Sequence, residues 1–195
     1  MFTIRYGYEY FQNKQMMQDD IEKTSVRETV VQPIEIQKDE ELDVQPVIEI
    51  PSGAEEEPIQ RQITGEHKVL EGENFSLITG FYWDDIFLWP DLYIRNSMRS
   101  DDPDLIYPDE IVTIYNRLGT GNNFSTRETE EILEAYLQVY EIYKKLGAEK
   151  NNSVWSLLWC AARYDHDFLD TYKDRIDPAD RAMAQKYIDE QGFLD

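Results

Sequence analysis

The chain has 195 residues, and its 40 acidic and 19 basic side chains give a formal net charge of −21. This acidic excess excludes sequence-independent binding to DNA, RNA or anionic lipid, because affinity for phosphate comes from Lys and Arg. The hydrophobic fraction of 41% excludes a chain that is disordered throughout, and the single cysteine, Cys160, excludes an internal disulfide framework.

No stretch of the sequence reaches the roughly 18–20 apolar residues that a membrane-spanning helix needs. The first residues do not resemble a signal peptide, because Arg5 and Glu9 interrupt the apolar stretch. As written, the sequence predicts a cytoplasmic protein without a membrane span. A true start further upstream would instead place it in the cell envelope.

Residues 1–30 form an N-terminal segment in which residues 1–11 alternate between apolar and polar side chains. This period of two predicts a strand that needs a partner edge, so the segment is a candidate contact with a protein partner. Residues 31–65 are predicted to be a disordered acidic linker, because prolines and clustered acids leave little apolar surface to offset the entropy of ordering. Its two similar tracts, Val31–Ile36 and Val44–Ile50, are compatible with addition to a partner's sheet, but a spacer of biased composition is the favoured interpretation.

Residues 66–117 predict a strand, two helices and a second strand, in that order. The first strand starts near His67 and ends in a turn at Gly72, where the missing Cβ allows a positive φ. The second strand is Ile111–Ile114, and it can pair antiparallel with the first while both helices lie on one face. Helix caps are expected at Asn74 or Glu73 for the first helix and at Asp84 or Asp85 for the second.

Residues 118–195 predict an all-α domain. Ser125 and Glu128 fit a capping box, apolar residues then recur with helical spacing, and Gly147 ends this helix. The other expected boundaries are Asn152 or Ser153 for the start of a second helix, and Asp177–Pro178 and Gly192 for the two ends of the last.

Three sequence blocks follow one another within residues 66–116. Val69–Asn74 fits V-x-x-G-(D/E)-(N/T), Leu88–Asn96 reads L-W-P-x-L-Y-x-x-N, and Asp102–Pro108 reads D-P-D-x-I-Y-P. In order and spacing these blocks resemble the LysM domain family, over about a quarter of the chain. One departure is Pro108-Asp109-Glu110, where the family commonly has Pro-Gly-Gln. Loss of the glycine is expected to reshape the turn before the last strand.

The resemblance implies a non-catalytic module that holds N-acetylglucosamine-containing glycans, such as peptidoglycan or chitin, in a shallow groove between two loops. Loops beside helix ends suit this role because they offer unpaired backbone groups to an N-acetyl substituent. Carried onto this sequence, the implied ligand-binding residues are Gly72, Glu73, Asn74 and Phe75 in one loop and Pro103, Asp104, Leu105 and Ile106 in the other.

Several motif residues also have a structural interpretation. Trp89 and Tyr93 lie four apart on a predicted helix, so packing in the core is favoured over stacking on a sugar. Asn96 is expected to fix a loop rather than to contact a ligand. The acidic turn 101–104 offers oxygen ligands for a cation, but it lacks the EF-hand spacing, and solvated turn acids are favoured.

No motif predicts catalysis. The sequence has no Gly-rich phosphate loop and no G-x-S-x-G. His67 lies at the start of a predicted strand and His166 lies between Asp165 and Asp167, and a single His on each element does not indicate a metal site. Cys160 lies on an apolar helical face, where burial raises the pKa of a thiol and favours packing over nucleophilic attack. An enzyme, a metal site and a cofactor are therefore not expected.

The predicted fold class is α+β: a small βααβ LysM-like module, a C-terminal all-α helical domain and a disordered acidic N-terminal arm. The predicted function is binding of peptidoglycan or another N-acetylglucosamine glycan, with the C-terminal helices as adaptor or as a second contact with a protein partner. The alternative is an intracellular scaffold or a cation-binding protein that uses the LysM-like fold for protein contacts.

Overall fold

The computed structural model describes residues 59–194. They form a mixed α+β structure with a two-stranded sheet and a majority of helix. The strand expected in residues 1–11 and the tracts Val31–Ile36 and Val44–Ile50 lie outside the described residues. The elements are β1 Ile63–Lys68, α1 Phe75–Trp83, α2 Trp89–Ile94, β2 Ile111–Tyr115, α3 Thr126–Leu146, α4 Asn151–Ala161, α5 Phe168–Thr171 and α6 Pro178–Gln191, with 3₁₀ turns at Ile86–Leu88 and Ala148–Lys150.

The two strands pair antiparallel, as the sequence predicts, with His67 opposite Val112 and Glu66 opposite Thr113. β1 begins at Ile63, however, four residues before the predicted start at His67. An irregularity in the register between Ile63 and Gly65 interrupts the alternation of side chains, which hides this part of the strand in the sequence pattern.

The starts of α1, α3 and α6 follow the predicted capping chemistry, but α4 begins at Asn151 without a side-chain cap, ahead of the predicted Asn152 or Ser153. The Asn74 side chain accepts a hydrogen bond from the Leu77 amide at 2.9 Å and so begins α1. Ser125 and Glu128 form the predicted capping box at the start of α3. Each cap satisfies backbone N–H groups that have no partner within the helix. The remaining caps are Asp85, before the 3₁₀ turn Ile86–Leu88, and Asp177, before α6.

The end of the predicted linker is ordered and packed, so the linker prediction is wrong for residues 59–65. The Arg61 side chain is only 3% exposed, and its Nη1 donates to Asp91 Oδ1 at 2.9 Å. Its Nε also donates to the Asn116 carbonyl at 3.1 Å. The physical reason is the Asp91 carboxylate, which is 1% exposed and needs a buried cation. Composition alone does not reveal that requirement.

The buried side chains of the sheet, of α1–α2 and of the C-terminal helices form one hydrophobic cluster. Val112 and Leu92 belong to it, as do Tyr136 of α3, Leu158 of α4 and Ile188 of α6. The described residues fall within a single compact unit, and the boundary between residues 117 and 118 stays a prediction. Among the described helices, none combines the length and the apolar character needed to cross a membrane.

Candidate binding cleft

The turn between β1 and α1 is held by its own side chains. Gly72 has a φ of +85°, the left-handed conformation expected for the turn. The Glu73 carboxylate accepts from the Leu70 amide at 2.7 Å and lies 2.7 Å from Nε2 of the buried His67. Glu73 therefore fixes the turn and is also a carboxylate partner of His67.

The second loop, before β2, has a left-handed turn at the position where the resemblance implies a glycine. Asp109 occupies that position with a φ of +70°, a conformation that Asp tolerates better than most residues. Its amide donates to the Val69 carbonyl at 2.9 Å, and the Val69 amide donates to Glu110 at 2.9 Å. These two bonds tie the loop to the end of β1.

The two loops border a cleft of about 460 Å³. Four of the eight implied ligand-binding residues line it: Asn74, Phe75, Pro103 and Asp104. The other four, Gly72, Glu73, Leu105 and Ile106, are not among its lining residues. The structure thus brings one half of each predicted loop together at a common opening.

The opposite wall of the cleft comes from α3 and α4, which the sequence analysis does not include in the site. Its lining residues are Tyr143, Asn152, Ser153, Ser156, Leu157 and Cys160. A signal for this wall does exist in the sequence. Asn152, Ser156 and Cys160 recur every four residues, which places small and polar side chains on one face of an otherwise apolar helix.

Asp104 connects the two walls. Its carboxylate accepts from Tyr143 Oη at 2.6 Å, Lys150 Nζ at 2.9 Å and Ser153 Oγ at 3.1 Å. Burial raises the pKa of Asp104, but the hydrogen bonds from these three donors outweigh it, and the pKa lies below its ordinary value. Burial, and after it the hydrogen bond to the same carboxylate, raises the pKa of Tyr143.

Asp102 and Asp104 of the acidic turn are therefore paired, which corrects the favoured interpretation for these two residues, whereas Asp101 is exposed. Lys150 Nζ also lies 2.6 Å from Asp102, so one ammonium neutralises two carboxylates of the turn. Within residues 59–194, no group of three or more His, Cys, Asp or Glu side chains is arranged to hold a metal ion.

Trp89, Tyr93 and Asn96 have different roles in the structure. Tyr93 is 7% exposed and packs in the core, as predicted, and Trp89 is half-buried with one side on the cleft. The Asn96 side chain accepts from the Thr113 amide at 2.8 Å and donates to the Thr113 carbonyl at 3.1 Å. Its predicted loop-fixing role is thereby confirmed, because it joins the end of α2 to β2.

Cys160 lies at the base of the α4 wall. Burial raises the pKa of its thiol to about 11, which keeps the sulfur protonated and poorly nucleophilic at neutral pH. His166 stacks on Phe193, with ring centroids 3.7 Å apart, and lies outside the cleft lining. The cleft thus offers hydrogen-bonding groups and apolar surface to a ligand.

No family model matches this chain, and no curated protein and no solved structure matches it. The resemblance to LysM domains therefore rests on the blocks within residues 66–116. Any functional interpretation has to come from the chemistry of the cleft.

Proposed function

We propose that the chain is a non-catalytic, LysM-like binding protein that holds an N-acetylglucosamine-containing glycan, such as peptidoglycan, in the cleft. The observation that carries this proposal is the convergence of Asn74 and Phe75 with Pro103 and Asp104 around one cavity of about 460 Å³. This volume lies within the range of about 300–1,000 Å³ that is common for small-molecule sites.

The lining suits a ligand that is uncharged, rich in hydroxyl groups and apolar on one face. Trp89 is half-buried and lines the cleft, so its ring offers apolar surface on which a sugar ring or an acetamido methyl group can pack, and the nearly buried Phe75 and Leu157 support that surface. The other lining side chains are mostly hydroxyl or amide groups, and Asp104 is the single ionised one among them. Affinity for one short oligosaccharide should be weak, because an open cleft excludes little water.

The alternative of a cation site has less support from the geometry. Its oxygen ligands would be Asp102 and Asp104, and both carboxylates already lie within 3 Å of Lys150 Nζ. A cation would have to displace that ammonium and the hydroxyl donors on Asp104. We therefore retain the glycan as the proposed ligand.

The test is isothermal titration calorimetry of the full chain with tri-N-acetylchitotriose, which should give a dissociation constant on the order of 0.1 mM. Ser156→Trp should abolish binding, because Ser156 is an exposed residue of the cleft lining. Ser97→Trp is the matched control, since Ser97 is exposed and does not line the cleft. Gly72→Trp is less suitable, because the side chain would be strained at a φ of +85° and lies outside the lining.

Absence of heat with tri-N-acetylchitotriose, together with no retention on purified peptidoglycan sacculi, would overturn the proposal. Equal binding by wild type and Ser156→Trp would show that the glycan binds elsewhere. Circular dichroism of each variant separates loss of binding from loss of fold.

A further inference from the structure

The four tryptophans of the chain differ in how their indole N–H groups are used. Trp83, Trp155 and Trp159 donate to the Tyr115 carbonyl, to Asp180 and to the Gly192 carbonyl, at 2.9–3.1 Å. Trp89 Nε1 has no acceptor among the described residues, and Trp89 lines the cleft. Because an indole N–H normally finds a partner, a free one at a cleft is available to a ligand.

The polar side chains of the two walls also differ in whether they already have hydrogen-bond partners within the protein. In the predicted loops they do: Asn74 Oδ1 caps α1, and the Asp104 carboxylate accepts from three donors. On α4, the side chains of Asn152 and Ser156 are exposed in the cleft and have no hydrogen-bond partner among residues 59–194. They lie four residues apart, so they share one helix face.

These free groups match an acetamido substituent. Such a substituent presents one N–H donor, one C=O acceptor and a methyl group. An Asn side chain can accept the N–H and donate to the C=O, and a Ser hydroxyl or an indole N–H can serve the remaining oxygen. A binding site whose polar side chains pair with an acetamido group discriminates strongly against a sugar without one, because those side chains would then stay unpaired.

We infer that Asn152 and Ser156 of α4, together with the indole N–H of Trp89, recognise the acetamido group of the glycan. The binding site then spans the LysM-like module and the C-terminal helices, which supply its specificity-determining residues. This inference rests on the proposed function, because it identifies how that same cleft selects its ligand.

The experiment compares tri-N-acetylchitotriose with cellotriose, which has the same backbone without acetamido groups, by calorimetry on the full chain. The variants Asn152→Leu and Ser156→Ala remove hydrogen-bonding groups and keep a similar shape, whereas Trp89→Phe removes the indole N–H together with part of the ring. Each variant should weaken binding of tri-N-acetylchitotriose by about threefold to tenfold, and Asn152→Leu and Ser156→Ala should leave binding of cellotriose nearly unchanged. Ser97→Ala is the control, and thermal melting of each variant checks folding.

The outcomes separate this inference from the function on which it rests. Wild-type preference for tri-N-acetylchitotriose that shrinks in Asn152→Leu and Ser156→Ala supports the inference. If Asn152→Leu, Ser156→Ala and Trp89→Phe all keep the wild-type affinity for tri-N-acetylchitotriose and the wild-type preference over cellotriose, the inference is overturned. The proposed glycan binding would then depend on the residues of the two loops alone. Failure of the wild type to bind tri-N-acetylchitotriose would overturn the function and the inference together.

Discussion

Replacing Arg61 by Met should destabilise the protein strongly, although Arg61 lies in the segment that composition assigns to a disordered linker. In the structure the guanidinium contacts both carboxylate oxygens of Asp91, at 2.9 and 2.8 Å. The Asp91 side chain is 1% exposed, so solvent cannot replace the lost cation. Met keeps the packing of the aliphatic stem and removes the charge together with the hydrogen bonds to the Asn116 carbonyl, and the double-mutant cycle with Asp91 described below separates the contribution of the ion pair.

The expected loss of unfolding free energy follows from the environment of Asp91. Removing one partner of a buried ion pair costs about 3–5 kcal/mol, because the other charge stays buried without compensation. Arg95 Nε still lies 3.0 Å from Asp91, so compensation is only partly lost. We therefore expect a loss of unfolding free energy at the lower end of this range, about 3 kcal/mol. For a folded unit of this size, that loss corresponds to a decrease in melting temperature of roughly 10 °C.

Urea unfolding followed by circular dichroism measures this loss, with Arg181→Met as the matched control. Arg181 pairs at 3.4 Å with Asp170, whose side chain is 88% exposed, so the control should change stability by less than about 1 kcal/mol. A double-mutant cycle between Arg61→Met and Asp91→Asn should give a coupling energy above about 1 kcal/mol. A loss below about 1 kcal/mol in Arg61→Met would refute the packing of this segment.

Three further predictions concern other parts of the structure. Gly119→Ala should cost about 3 kcal/mol and Gly121→Ala only about 1 kcal/mol in urea unfolding, because both have a positive φ but only at Gly119 would the added Cβ meet Phe124. Since the pKa of the Cys160 thiol is about 11, iodoacetamide at pH 8 should alkylate it on the order of 100-fold more slowly than in urea-unfolded chain, and equal rates would contradict its burial. The pKa of Asp104 is lowered in the folded state, so its contacts stabilise at pH values above its usual pKa of 3.8 and are lost as pH falls below it; wild type should therefore lose more stability between pH 6 and pH 2.5 than Asp104→Asn does.

The sequence predicts local structure well wherever a short-range rule applies. The Ser125–Glu128 capping box and the N-cap at Asn74 depend on residues three apart, and both are present. The antiparallel pairing of the two strands is also as predicted, although paired residues such as His67 and Val112 lie far apart in the sequence, because each strand has a clear hydrophobic pattern of its own. For the two caps, the deciding contacts lie close together in the sequence.

The missed features depend on contacts between residues far apart in the sequence. Arg61 and Asp91 are separated by 30 positions, and no local pattern couples them. The α4 wall belongs to the cleft only because α3 and α4 pack beside the loop that carries Asp104, through Tyr143 and Lys150. Sequence analysis assigns these helices to a separate domain, and the resemblance to LysM domains does not extend to them.

The mixed outcome for the implied ligand-binding residues has a different cause. The resemblance gives positions in two loops, but the direction of each side chain is set by local hydrogen bonds. Glu73 turns toward His67 and the Leu70 amide, whereas Asn74 and Phe75 border the cleft. A motif can therefore place a loop correctly without identifying which of its side chains are available to a ligand.

The most direct measurement of the central claim is a two-dimensional ¹H–¹⁵N NMR titration of the full chain with tri-N-acetylchitotriose. The four indole N–H signals serve as internal probes, because Trp83, Trp155 and Trp159 donate within the protein and Trp89 does not. Binding in the cleft predicts a saturable shift of the Trp89 indole signal, with the other three nearly unmoved. An unmoved Trp89 signal at saturating glycan would contradict the account.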